Sequence, residues 1–131
     1  MIAIDTNILV RFLTNDDPSQ AQHAAQLLRS EPVFIPKTVL LETEWVLRHA
    51  YGLDRQVINT AFAKLLGLSE VVAEDMPAIS RALAWHAAGL DFADALHLAV
   101  SGTAGRFVTF DRDLVKRGAK LHTGMEIALI E

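Results

Sequence analysis

Apolar residues fall along this chain in blocks that follow two different periods. Ile2, Ala3 and Ile4, and later Phe107 and Val108, form brief continuous runs of the kind expected for strands buried on both faces. Between such runs, apolar positions recur every three to four residues, as they do in amphipathic helices. In chain order the pattern predicts strand 2–5, helices 6–14 and 18–29, strand 33–35, helices 37–50 and 54–66, and a strand at 71–73. Helices 76–88 and 91–102, strand 106–109, helix 112–117 and a strand near 120–122 complete it. Turn residues agree with these cuts: Asp17-Pro18 opens a helix, Pro32 and Pro36 bracket a strand, Gly52 and Gly89 close helices, and Gly102 and Gly105 mark a loop. Strands that alternate with helices predict an α/β fold with a mainly parallel central sheet flanked by helices. At 131 residues the chain has the size of one domain, so residues 1–131 are expected to form a single unit.

Composition narrows the function classes. With 51% hydrophobic and 21% charged residues the chain is built to fold and to keep apolar surface for association. The helical segments "SQAQHAAQLL" and "NTAFAKLLGL" are the expected contact faces. The absence of cysteine excludes a disulfide framework and thiolate metal sites, and fits a reducing compartment, which predicts the cytoplasm. The first residues lack a signal-peptide pattern and no apolar run reaches the length of a membrane span, so neither secretion nor membrane insertion is expected. A net charge of −4 speaks against a basic surface overall. Arg112, Lys116, Arg117 and Lys120 nevertheless make a local cluster able to meet phosphates.

Chemistry is concentrated in the acids. Asp5 interrupts an apolar stretch, and a charge among buried groups is costly unless paired, hydrogen-bonded or metal-bound. Its simplest role is structural, since Asp5, Thr6 and Asn7 are all good helix N-caps. Glu42 and Glu44 flank an apolar stripe of Val39, Val46, Leu47 and Ala50 on opposite sides, and periodicity does not choose between them. Asp91 reads as an N-cap and Asp94 as the acidic partner of a capping box. Asp94 also shares a polar stripe with His97 and Ser101, opposite Phe92, Leu96, Ala99 and Val100. Asp111 reads as the cap of a short helix, with Asp113 in its first turn and Thr109 in the preceding strand. Ligands of open parallel sheets gather outside the carboxyl ends of the strands, which is where Asp5 and Asp111 fall.

Taken together, "MIAIDTNILV", "IPKTVLLETEWVL", "LDFADALHLAV" and "FVTFDRDL" resemble the four acidic motifs of the PIN domain family, in the same order. More narrowly they resemble VapC-type toxins, the ribonuclease half of bacterial type II toxin–antitoxin pairs. The resemblance implies a PIN-like three-layer fold, hydrolysis of RNA phosphodiesters at clustered carboxylates binding Mg²⁺ or Mn²⁺, a homodimer, and a cognate antitoxin partner. It implies that Asp5, Glu42, Asp94 and Asp111 are both the catalytic residues and the metal ligands. Thr6 and Asn7 match the usual neighbours of the first acid, and Thr109 a supporting hydroxyl. Asp91 and Asp113 match positions where some members carry a further acid. Oxygen-only ligation favours hard cations, and such a cation would be the partner that Asp5 requires. Haloacid-dehalogenase-like phosphatases need a second aspartate where this chain has Asn7, and a receiver domain needs paired acids after the first strand. The remaining alternative is a PIN-like module that binds RNA or protein without cutting it. Loss of an acid would favour that alternative, and all four acids are present.

Overall fold

The computed structural model describes residues 1–131, which gather into two compact units, Met1–Met76 and Pro77–Glu131. In the first, β1 (Ile2–Ala3) is followed by α1 (Thr6–Thr14), α2 (Pro18–Ser30), β2 (Val33–Ile35), α3 (Lys37–His49), α4 (Arg55–Leu66) and β3 (Val71–Ala73). The strands form one parallel sheet in the order β1-β2-β3, with Ile2 opposite Val33 and Val33 opposite Val71. Helix ends follow local chemistry. The Asp17 carboxylate accepts the Gln20 amide and Pro18 occupies the first turn of α2, while Asp54 accepts the Val57 amide at the start of α4. Asn15, at φ 55°, ends α1 in the left-handed conformation that asparagine tolerates. Pro36 offers α3 no side-chain cap, and Glu74 Oε1 accepts the Lys37 amide at 2.9 Å in its place. Leu9, Leu40, Leu47, Ile58 and Phe62 are fully buried in this unit.

The second unit holds the body of α5 (Met76–Ala87), then α6 (Phe92–Ala99), β4 (Arg106–Thr109), α7 (Arg112–Ala119) and β5 (Glu126–Leu129). β4 and β5 pair in parallel, from Arg106 opposite Glu126 to Thr109 opposite Leu129. Ile79, Ala82, Leu90, Phe92, Ala95 and Leu98 are buried, and the His86 ring meets Phe92 edge-on with centroids 5.3 Å apart. Helices alternate with strands and every strand pairing is parallel, as the pattern predicts. No helix is long and apolar enough to cross a membrane.

Several boundaries differ from the expectation. The expected strand near 120–122 is instead a turn following α7, because the Lys120 and Leu121 amides bond back to the Arg117 and Gly118 carbonyls. His122 (φ 51°) and Gly124 (φ 77°) then turn the chain, and the last strand forms at Glu126–Leu129. α7 lies close against that strand, since a β-carbon on Gly118 would collide with Ile127 Cδ1. α6 stops at Ala99 because the Val100 amide closes the last turn onto the Leu96 and Leu98 carbonyls. Val100, expected on the apolar face, is therefore exposed.

Candidate functional site

Asp5 follows β1 and begins α1. Its Oδ1 accepts the Ile8 amide at 3.1 Å, so the capping role is real. The side chain is exposed rather than buried, which corrects the expectation that a desolvated charge there demands a partner. Capping occupies one oxygen only, and Oδ2 stays uncommitted with its orientation fixed by the cap. Next to it, the buried Thr6 hydroxyl donates a short hydrogen bond to Glu42 Oε1. The first turn of α1 thereby joins the second acid to the neighbourhood of the first. Asn7 is exposed and, with Asp5, Arg11, Gln20 and His23, lines a cleft of about 480 Å³.

This arrangement separates the two glutamates of α3. The buried stripe of the helix is Leu40, Thr43, Glu44 and Leu47, not the expected Val39, Val46, Leu47 and Ala50. Glu44 is 2% exposed and takes two hydrogen bonds from Arg48, Nε to Oε2 at 2.8 Å and Nη2 to Oε1 at 3.2 Å. Its carboxylate is committed to an ion pair, whereas Glu42 is exposed and linked to Thr6. Thr43 in the same stripe is fully buried, and its hydroxyl has no hydrogen-bond partner. Thr43→Val removes that unmet hydroxyl at nearly constant shape and is expected to stabilise the protein by about 1 kcal/mol, read from the urea midpoint.

In the second unit the acids lie on two helix starts. Asp91 caps α6 by accepting the Asp94 amide at 3.3 Å, as expected, but the Asp94 carboxylate does not reach back to the start of the helix, so the expected capping box is only half formed. Asp111 Oδ1 accepts the amides of Asp113 (2.9 Å) and Leu114 (3.2 Å), leaving Oδ2 uncommitted. The Thr109 hydroxyl accepts the Asp111 amide at 3.0 Å, so it holds the turn that presents this acid. Asp113 is exposed one residue inside α7. Asp94 is different in kind: it is half-buried, it caps nothing, and its carboxylate has no hydrogen-bond donor. Burial foremost, then the charges of Asp91 and Asp111, push its carboxyl above the usual aspartate range, and His97 opposes them.

These donors are all hard oxygens, and negative charge is crowded around Asp94 with His97 in opposition, so their chemistry fits Mg²⁺ or Mn²⁺. No group of three or more His, Asp or Glu side chains is drawn together closely enough to hold a metal as it stands. The sequence reading missed a polar cluster beside Asp5. Arg11 Nη1 donates to Asp16 (3.1 Å) and to the Tyr51 hydroxyl (3.2 Å), Arg11 Nε donates to Gln20 (2.7 Å), and the Tyr51 hydroxyl donates to Asp16 (2.6 Å). The Tyr51 bond, more than any other, holds the Asp16 carboxyl below its ordinary value. No local spacing signals a cluster that ties α1 to Tyr51, beyond the end of α3.

Comparison with known proteins gives one family. The model of the PIN domain matches residues 2–120, a span that contains every candidate site acid and stops before β5. No curated protein matches the chain. Among solved structures, the chain is similar to the Mycobacterium tuberculosis toxin VapC20, described as cleaving the Sarcin-Ricin loop, at 25% identity over 90% of this chain and 95% of that one, with a TM-score of 0.44.

Proposed function

Since this chain belongs to the PIN domain family, we propose that it is a metal-dependent ribonuclease acting as the toxin of a toxin–antitoxin pair. The observation that carries the reading is Asp94, a half-buried carboxylate without a hydrogen-bond donor, crowded by Asp91 and Asp111. Such a group is stabilised by a bound cation. Asp5, Glu42, Asp94 and Asp111 would hold Mg²⁺ or Mn²⁺, with Asp91 and Asp113 supporting them. The bound ion would supply a water of lowered pKa and neutralise charge developing on the phosphate. The chain's own contribution is orientation. Capping fixes Asp5 and Asp111 by one oxygen each, the Thr6 hydroxyl holds Glu42, and Thr109 holds the turn before Asp111.

Residues 1–131 then act as one domain in the cytoplasm, forming a homodimer through one or more of the N-terminal helices and binding a cognate antitoxin in a neighbouring groove. Phe12 and Leu13 of α1 and Val57, Ala61 and Leu68 along and beyond α4 line an open apolar cleft of about 660 Å³, which supports such association. The second reading is a PIN-like module that binds RNA or protein without cutting. One experiment separates the two. Purified protein is expected to cleave RNA with Mg²⁺ or Mn²⁺, to lose that activity with EDTA and to regain it when metal returns. Cleavage that persists in chelator refutes the metal mechanism, and RNA binding without cleavage in either metal establishes the second reading.

A further inference from the structure

We propose that one face of α7 is a landing site for the RNA backbone, built by Lys116, Arg117 and Lys120 over a cleft formed with the 88–90 segment. The inference rests on the ribonuclease reading but concerns different residues. Asp113, Lys116, Arg117 and Lys120 follow one another at helical spacing and line a cleft of about 350 Å³, whose other wall is Ala88, Gly89 and Leu90. The opposite face of α7 is committed to the fold through buried Leu114 and Gly118.

Three cations on one small concavity are unusual in a chain of net charge −4, and the fold does not use them as charges. Lys116 and Lys120 make no ion pair, and Arg117 donates Nη1 to the Gly89 carbonyl at 3.2 Å, which fixes the guanidinium without neutralising it. Asp113 is the one carboxylate on the cleft, so its lining carries a net positive charge. Position along the chain gives the cleft its meaning. The 88–90 wall runs directly into Asp91 and α6, and α7 is the helix capped by Asp111. Asp91 and Asp111 are the two negative charges that act on Asp94, against His97. A phosphodiester chain whose scissile phosphate approaches these acids is repelled by them unless neighbouring phosphates are neutralised nearby, and the α7 face supplies cations for that purpose. Contacts of this type position a strand without reading its sequence.

The test is binding of a 12-nucleotide single-stranded RNA in EDTA, followed by fluorescence anisotropy over a salt series. The Lys116→Gln/Lys120→Gln variant is expected to bind roughly tenfold more weakly, with the slope of log affinity against log salt reduced by about 1.4, since each neutralised phosphate of a single strand contributes about 0.7. Arg29→Gln/Arg106→Gln removes the same charge from exposed positions outside this cleft and is expected to change little. In metal the α7 variant is expected to raise KM with kcat retained. Equal loss in both variants means a general charge effect and overturns the proposal, as does a wild type that binds no RNA at low salt. If the α7 variant keeps RNA affinity but loses an acidic protein partner, the face belongs to that partner and the proposal falls. RNA binding with the stated slope change but no cleavage in metal supports the landing site and removes the ribonuclease reading.

Discussion

Asp94→Asn is expected to lower RNA cleavage by roughly 10²–10³-fold or more, the range for removing one preorganised charge from a reactive site, while making the metal-free protein more stable. The second half follows from the direction of its titration. Burial, then Asp91 and Asp111, raise the Asp94 carboxyl in the folded protein. The folded state therefore favours the neutral acid more than the unfolded chain does. That contribution to stability is fully present below the ordinary aspartate value, near about 3.9, and is lost as pH rises through the raised value. Above that raised value the ionised Asp94 works against the metal-free fold. Asparagine keeps the shape and stays neutral, so its melting temperature is expected to exceed the wild type's at pH 7 and to show less decline as pH rises from 4. Mg²⁺ should raise the melting temperature of the wild type more than that of the variant. Thermal melts across pH, with and without Mg²⁺, check both statements. Retained cleavage with an unaltered pH profile would remove Asp94 from the site.

The second large effect concerns stability alone. Arg48→Met leaves the Glu44 carboxylate buried without its bidentate partner and is expected to cost about 3–5 kcal/mol, the range for breaking a buried pair from one side. Glu44→Met is expected to cost clearly less, because Arg48 is 41% exposed along its side chain and its guanidinium can turn to water. The asymmetry distinguishes an uncompensated buried charge from simple loss of contact. Urea denaturation of both variants measures it, and equal losses would show that packing, not charge, sets the cost.

The same pair explains where sequence reading fell short. Thr43 and Glu44 occupy the buried stripe of α3 but are polar, so the apolar period pointed to Val39, Val46 and Ala50 instead. A glutamate is buried there because a residue four positions on neutralises it, and hydrophobicity alone does not reveal that. Asp5 shows the converse. An acid between apolar blocks looks desolvated in sequence, yet the Asp5 side chain is exposed between buried Ile4 and Thr6, where it caps α1. Strands bounded by strong turn residues were legible, as β2 between Pro32 and Pro36 shows. β5 was not, because its start depends on left-handed residues at His122 and Gly124. For the candidate site, motif order singled out Glu42, while its link to Thr6 and the Arg11–Asp16–Tyr51 cluster required the folded chain.

The parallel pairing has a consequence for how the protein is made. A growing chain offers no hairpin partner to its strands: Ile2 waits for Val33, and Val33–Ile35 then keeps one edge open until Val71–Ala73 is synthesised. Pairings of such long sequence separation form slowly, and an unpaired apolar edge is the part of a nascent protein most prone to aggregate. The α1 and α2 segments, joined by a short turn, can meet while the chain is still on the ribosome. The Thr6–Glu42 link beside Asp5 can therefore form well before Asp94 and Asp111 have been added, and a product truncated after the first unit carries only half of the four candidate acids.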